Sequence, residues 1–421
     1  DHIENAQTNQ RLYDMHHPRI TWKSSKLHAV LVLFLLSNVQ TECLVVHSLV
    51  THPPVDNGDV AVVHSLLQRA KIPLARVQGI RRVTAKSAFC NALYRVTMKH
   101  DDDDDSTPSN GQPLSYMAKV FSPLAASRML SPWNSVDQRN ENYGNHNERE
   151  ELHLFRMDKL AAENDLGPMI FATIDTASSP ALLMQDCPGS PMSEMELQEI
   201  KAVVRLAAMA LAKLHSLTPT PQIPSSASRN NNMLWQSCHV LMQQYADPQW
   251  HVVDGDNTPW TYDRLYKCIR NHELELEQDK GLLVTDSGHG DCKPSNLNLH
   301  RTSVRFLDLE LAGTHYVAFD IAKLWRTSNY QATLDQLQRA QQQKLFLETY
   351  AQHYSGSQTL NASMLQNQVD RLLPLTWLEA ATLFVAMSAS SSKSQSEREH
   401  WDALALDRLR SYTKCLHPFP P

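Results

Sequence analysis

Residues 289–310 read HGDCKPSNLNLHRTSVRFLDLE. Two apolar words, LNL at 297–299 and VRFL at 304–307, have the length and composition of short strands. The polar groups around them, His289, Asp291, Asn296, Asp308 and Glu310, therefore fall at strand ends and in loops, where side chains can meet a ligand. Three carboxylates and an amide at the mouths of two strands suit a magnesium-dependent phosphoryl transfer. One carboxylate orients and deprotonates an attacking hydroxyl, and hard oxygen atoms hold the cation that bridges the phosphates. In such a scheme Asp291 fits the base, and Asn296 and Asp308 fit the metal.

Upstream, NALYRVTMKH alternates like a strand, HDDDDDSTPSNGQPL reads as a loop and SYMAKVF as a second strand, giving a hairpin with a long acidic tip. Five successive aspartates, Asp101 to Asp105, repel one another and are expected to form a solvated loop rather than a cation site. EREELHLFRMDKLAAEN has helical spacing, and PMIFATI and ALLMQDCPGSP suggest two further strands, so this half reads β-β-α-β-β. After Pro188 and Gly189 the character changes. EMELQEIKAVVRLAAMALAKLHSL (194–217) reads as one long helix with Ser193 as N-cap and Glu196 completing a capping box. Helical patterns return over 333–412. The expected architecture is α+β and two-lobed: a small antiparallel sheet lobe, a mostly helical lobe, and a cleft between them.

Bulk properties narrow the classes. With 421 residues and 42% hydrophobic content the chain can bury a substantial core, and a formal charge of −6 without a basic stripe argues against nucleic acid as a partner. The seven cysteines, Cys43, Cys90, Cys187, Cys238, Cys268, Cys292 and Cys415, form no C-x-x-C pair, which points to a reducing compartment and away from disulfides or structural zinc. The run AVLVLFLL at 29–36 has basic residues before it, and a start at Met15 would give it the outline of a signal peptide. No small-x-small site follows in SNVQTEC, and the run is short for a bilayer span, so membrane insertion is not expected. Residues 1–75 are read as a leader of uncertain structure, 76–187 as the small nucleotide-binding lobe and 188–421 as the lobe carrying the catalytic loop and acceptor pocket.

HGDCKPSN resembles the H-x-D-x-x-x-x-N loop of the aminoglycoside phosphotransferase and choline kinase superfamily, relatives of the protein kinases. LDLELAGTHYVAFDIAKLW is similar to the segment that follows it in choline and ethanolamine kinases, and NALYRV, AKVF, LGP and LAKLHSL extend the resemblance over roughly 80–415. It implies a protein-kinase-like fold and an ATP- and Mg²⁺-dependent phosphotransferase acting on a small amino alcohol, as in the synthesis of phospholipid precursors, in the cytoplasm. Asp291 would be the catalytic base, with His289 supporting its loop. Asn296 and Asp308 would bind Mg²⁺, with Glu310 near the metal and Asp320 bracing the loop through its backbone N–H groups. Lys119 would pair with the α- and β-phosphates and with a helix glutamate, Glu151 or else Glu148. Asn91 survives from the nucleotide loop, and Met184, Gln185 and Asp186 (to Cys187) would form the hinge that meets adenine.

The sequence departs from the family in two places. Ser87 and Ala88 stand where glycines would let backbone approach phosphate. On the acceptor side, Thr327 and Ser328 replace an expected Glu and Trp, and Glu379 and Thr382 occupy places where tryptophans are expected. Tyr316, Trp325 and Trp377 are the remaining aromatic candidates for an acceptor pocket able to hold a quaternary ammonium. A sugar- or aminoglycoside-like acceptor, a nucleotide-binding module without turnover, and a homodimer all stay open.

Overall fold

Strand β2 (Asn91–Met98) alternates, turning Tyr94, Val96 and Met98 to one face and Asn91, Leu93 and Arg95 to the other. Its partner β3 (Ser115–Phe121) does the same, with Tyr116, Ala118 and Val120 on the first face and Met117 and Lys119 on the second. The antiparallel register sets Leu93 opposite Lys119 and Arg95 opposite Met117. The period of two thus divides the sheet into a core face and a face that lines a cleft. The computed structural model describes residues 57–83, 91–99, 115–129, 154–176, 179–218, 232–254, 258–326, 336–356, 360–389 and 394–416.

The sheet has five antiparallel strands in the order β1-β2-β3-β5-β4, with β1 spanning Val77–Val83, β4 Ile170–Ile174 and β5 Ala181–Gln185. Strand β1 is one more than the sequence reading finds. Its exposed, charged pattern, VQGIRRV, lacks the apolar alternation that marks the others. The core face is covered by helix α1 (Asn57–Arg69), whose Val63, Leu66 and Leu67 bury against Tyr94, Val96, Ala118 and Leu183. Asp59 accepts a hydrogen bond from the Tyr94 hydroxyl at 2.5 Å. The supposed leader therefore divides: residues 57–75 belong to the small lobe, and 1–56 lie outside the described residues. So do the acidic hairpin tip and Ser87 and Ala88.

On the other side of the sheet lies α2 (Arg156–Glu163), followed by the tight turn at Gly167. The chain then crosses into the large lobe through β6 (Ser190–Pro191). The predicted capping box is present: Ser193 Oγ accepts from Glu196 N at 3.1 Å, and Ser193 N donates to Glu196 Oε2 at 2.8 Å. The expected single helix is two, α3 (Glu194–Glu199) and α4 (Lys201–His215), broken at an extended Ile200. No glycine or proline marks the break, so local sequence does not announce it. Helices α5 (Met233–Val240) and α6 (Tyr262–Gln278) follow, with the strand pair β7 (His251–Val252) and β8 (Trp260–Thr261) between them.

The opening stretch lies on two small antiparallel ladders in the large lobe. Strands β9 (Val284–Gly288) and β12 (Gly313–Tyr316) pair, and β10 (Leu297–His300) pairs with β11 (Ser303–Phe306) and with β6. Helix α7 (Val317–Trp325) is buried along its whole length. Helices α8 (Gln336–His353), α9 (Ala362–Ser388) and α10 (Gln395–Leu416) complete the lobe, and α9 packs extensively on both α7 and α10. No helix among the described residues is long and apolar enough to cross a membrane.

Candidate active site

Asp291 sits on a loop held from below. The Asp320 carboxylate, at the first turn of α7, accepts the backbone N–H groups of His289 at 2.6 Å and Gly290 at 2.8 Å, and lies 3.0 Å from His215 Nε2. His215 Nδ1 in turn lies 2.8 Å from the Tyr350 hydroxyl. Although burial opposes its charge, His215 first and then His315 and His289 lower the Asp320 pKa to about 2. Gly290 has φ +78°, and a Cβ there would overlap the Leu311 carbonyl, so the turn requires glycine. His289 is fully buried, with Nε2 3.1 Å from the Leu307 carbonyl and Nδ1 accepting from Asp291 N at 3.2 Å. Burial lowers its pKa and so favours the neutral ring, and both ring nitrogens are held by backbone groups of the loop and strand end.

Asp291 itself faces the cleft. Its Oδ1 lies 2.9 Å from Lys323 Nζ, and its Oδ2 accepts from Lys293 Nζ at 2.8 Å and Asn296 Nδ2 at 3.1 Å. Burial would raise its pKa, but the two ammonium groups more than offset it and hold the carboxyl well below the usual range. Asn296 Nδ2 is committed to Asp291, which leaves Oδ1 as the atom that could meet a cation.

Lys119 reaches across from β3. Its Nζ pairs with Asp308 Oδ1 and with Glu310 Oε2, the latter at 2.6 Å, and Asn91 Nδ2 donates to the same Glu310 oxygen at 2.6 Å. Asp308 adopts a left-handed backbone, φ 66°, which turns its carboxylate toward the cleft ahead of the 3-10 turn Leu309–Leu311. Burial opposes the Asp308 charge, and Lys119 overrides it, lowering the pKa. Glu310 is raised, by burial first and then by Asp308.

A third carboxylate, Asp158 on α2, shares this field. Burial, with the Asp308 and Glu310 charges added and Lys119 opposing, raises its pKa to about 7. Glu151 and Glu148, the predicted helix partners of Lys119, lie outside the described residues, and Asp158 is the acid that the described part of the helix brings near the lysine. The sequence signal for it is a carboxylate on the apolar stripe Leu154, Asp158, Ala161. Because its folded pKa exceeds its unfolded value, the unfolded chain gives up the proton first, and stability falls as pH rises from about 4 to about 7. Asp158→Asn should abolish that fall, on the order of 3 kcal/mol, and urea midpoints at pH 5 and pH 8 would show it.

One cavity of about 660 Å³ joins these groups. Of the predicted residues, Asn91, Lys119, Met184, Gln185, Asp186, Asp291, Asn296, Asp308 and Glu310 line it, and His289 and Asp320 lie beneath its floor. Just after β5, Asp186 forms an ion pair with Arg95 Nε at 2.8 Å and accepts from Ser115 Oγ at 2.8 Å. Tyr316, Trp325 and Trp377 are placed differently: all three are buried in the large-lobe core and do not line the cavity. Tyr316 accepts from Trp235 Nε1 at 3.2 Å, and Trp325 packs on Phe346. Three aromatics within apolar helical stretches satisfy a core as well as a pocket wall, and packing decides between them. The sequence reading missed Arg128, Lys293, Lys323, Arg326 and Arg408 as cavity residues. Arg128 and Glu379, 3.0 Å apart, are separated by 251 positions in the chain.

Two lobes, a cleft between them, and a braced loop presenting Asp291 opposite Lys119 and Asp308 define a protein-kinase-like phosphotransferase. The chain belongs to the phosphotransferase enzyme family, whose sequence profile matches residues 146–355, and as such is a small-molecule kinase by class. Among solved structures, a choline kinase from Cryptosporidium parvum is similar at 12% identity, with a TM-score of 0.53 over 85% of this chain and 96% of that one. A Plasmodium vivax ethanolamine kinase is similar at 12% identity, with a TM-score of 0.56 over 86% of this chain and 90% of that one. At that identity the likeness is one of fold. No curated protein matches the sequence.

Proposed function

We propose that the chain transfers the γ-phosphoryl group of ATP to the hydroxyl of a small molecule, with Asp291 as the catalytic carboxylate. The observation that carries this reading is the convergence on one cavity of Asp291, Asn296, Asp308 and Lys119 from three separate elements. The donor set fits a hydrated Mg²⁺: Asn296 and Asp308 supply two oxygens, and Lys119 offsets only part of the charge of Asp158, Asp308 and Glu310. The Asn91 Oδ1 atom is buried without a hydrogen-bond partner among the described residues, an acceptor that a water of the hydrated cation could meet. Bound there, Mg-ATP would supply the phosphoryl group and a Lewis acid for the charge that develops on it.

The residues of the chain do the rest. Lys119 holds negative charge at the roof of the cleft while remaining protonated, since its carboxylate partners raise its pKa despite burial. Asp291 aligns the acceptor hydroxyl and takes its proton late, because a carboxyl held so low is a weak base but a fixed hydrogen-bond acceptor. The pH–kcat profile should accordingly show no acidic limb from Asp291 above about pH 4, with measurements over pH 4.5–9 as the check. The amino-alcohol acceptor implied by the resemblance draws no support from Tyr316, Trp325 or Trp377, which are core residues here. Release of ADP with Mg-ATP across amino alcohols, sugars and hydroxy acids, with Asp291→Asn as control, tests the reaction. No acceptor-dependent ADP above the control, despite nucleotide-dependent thermal stabilisation, would leave a nucleotide-binding module instead.

A further inference from the structure

The acceptor end of the cavity is ringed by cations. Beyond Asp291 a chain of alternating charges runs inward: Lys323 Nζ lies 2.9 Å from Asp291 and donates to Glu379 Oε2 at 2.8 Å, and Arg128 Nη2 donates to Glu379 Oε1 at 3.0 Å. With Lys293, 2.8 Å from Asp291, three cations meet two anions there. Arg326 and Arg408 add two more cations to the same wall. Among the described residues, the Arg326 guanidinium has the Thr376 carbonyl as its hydrogen-bond partner and no carboxylate in ion-pair range. Among the described residues, Arg408 pairs with its half-buried neighbour Asp407, at 2.6 Å, which offsets part of its charge.

Both guanidiniums are steadied by the same indole, 4.8 Å and 5.3 Å from the Trp377 ring centroid, and Arg408 also lies 5.9 Å from the Phe384 ring. Stacking on rings orients a guanidinium without neutralising it. Two like charges converging on one ring beside a low-dielectric wall of Ala380, Leu383 and Leu404 are costly until an anion bridges them. The arrangement also disfavours a quaternary ammonium, since Arg128, Lys293, Lys323, Arg326 and Arg408 already place positive charge on this wall.

Resting on the kinase reading above, we infer that the acceptor is a small hydroxy compound bearing an anionic group, carboxylate or phosphate, clamped by Arg326 and Arg408 while its hydroxyl reaches Asp291. The planar fork of each arginine suits either oxyanion in two-pronged fashion.

The test uses the full chain saturated with a non-hydrolysable Mg-ATP analogue, with thermal shifts recorded against glycerate, 3-phosphoglycerate, glycerol and choline. Glycerate or 3-phosphoglycerate should stabilise the protein and glycerol and choline should not, and the stronger of the two anions distinguishes carboxylate from phosphate recognition. Arg326→Gln and Arg408→Gln should each weaken the anion at least about tenfold, the loss of one charged hydrogen-bonding partner, while the nucleotide shift stays as in wild type. Arg326→Lys, which keeps the charge and loses the fork, should fall between. Stabilisation by choline in preference to the anions, no anion effect at all, or unchanged anion affinity in both Gln variants would overturn the inference. So would loss of the nucleotide shift in those variants, which would assign the arginines to ATP. The kinase reading fails separately, if the analogue itself gives no shift in wild type.

Discussion

Asp291→Asn should lower acceptor-dependent turnover by about 10²–10⁴-fold, the usual contribution of a positioned acid or base, while leaving Mg-ATP binding in place. The asparagine keeps the size and one acceptor oxygen but loses the charge that two lysines, Lys293 and Lys323, are arranged to hold. The expected split is a fall in kcat with little change in the KM for ATP, because the proposed function assigns Asp291 to the acceptor hydroxyl and Lys119 and Asp308 to the phosphates. Steady-state ADP release with the best acceptor of the panel, beside nucleotide-dependent thermal shifts, measures both. Turnover within tenfold of wild type would remove Asp291 from the reaction. An equal loss of nucleotide stabilisation would mean instead that its charge organises the whole cleft.

The largest effect on stability should come from Asp320→Ala. That carboxylate has no exposed surface and satisfies two backbone N–H groups and His215 at once. Its removal leaves those groups buried without a partner, and the expected loss is about 3–5 kcal/mol together with collapse of activity, since the loop it braces carries Asp291. Its titration makes a second, independent mark. The folded pKa, about 2, lies below the unfolded carboxylate value, so the stabilisation is fully present above about pH 4 and is lost as pH falls from there toward about 2. That window is worth about 2 kcal/mol and should vanish in Asp320→Asn, as denaturant midpoints at pH 5 and pH 3 would show.

Much of this site was readable because it is local. Asp291, Asn296, Asp308 and Glu310 flank the two ends of one strand-turn-strand segment, and strand alternation alone separates Lys119 from the core-facing Ala118 and Val120. The acid near Lys119 was less accessible. A buried Asp158 looks like any polar interruption of an amphipathic helix until the fold sets it under Asp308 and Glu310. Helix α1 shows the same ambiguity from the other side: its Val63, Leu66 and Leu67 form a legible stripe, but only the sheet gives the stripe a partner.

The two-lobed α+β class and the loop that carries Asp291 were legible along the chain, since turn chemistry, strand period and the order of carboxylates all act over short distances. Tertiary structure alone decided the acceptor end. There Arg128 comes from the small lobe, Lys323 from α7, Arg326 from just past the end of α7, Glu379 from α9 and Arg408 from α10. Whether such charges cancel or accumulate depends on distances of a few ångströms between segments far apart in sequence, and Coulomb energy in a poorly solvated cleft makes those distances decisive.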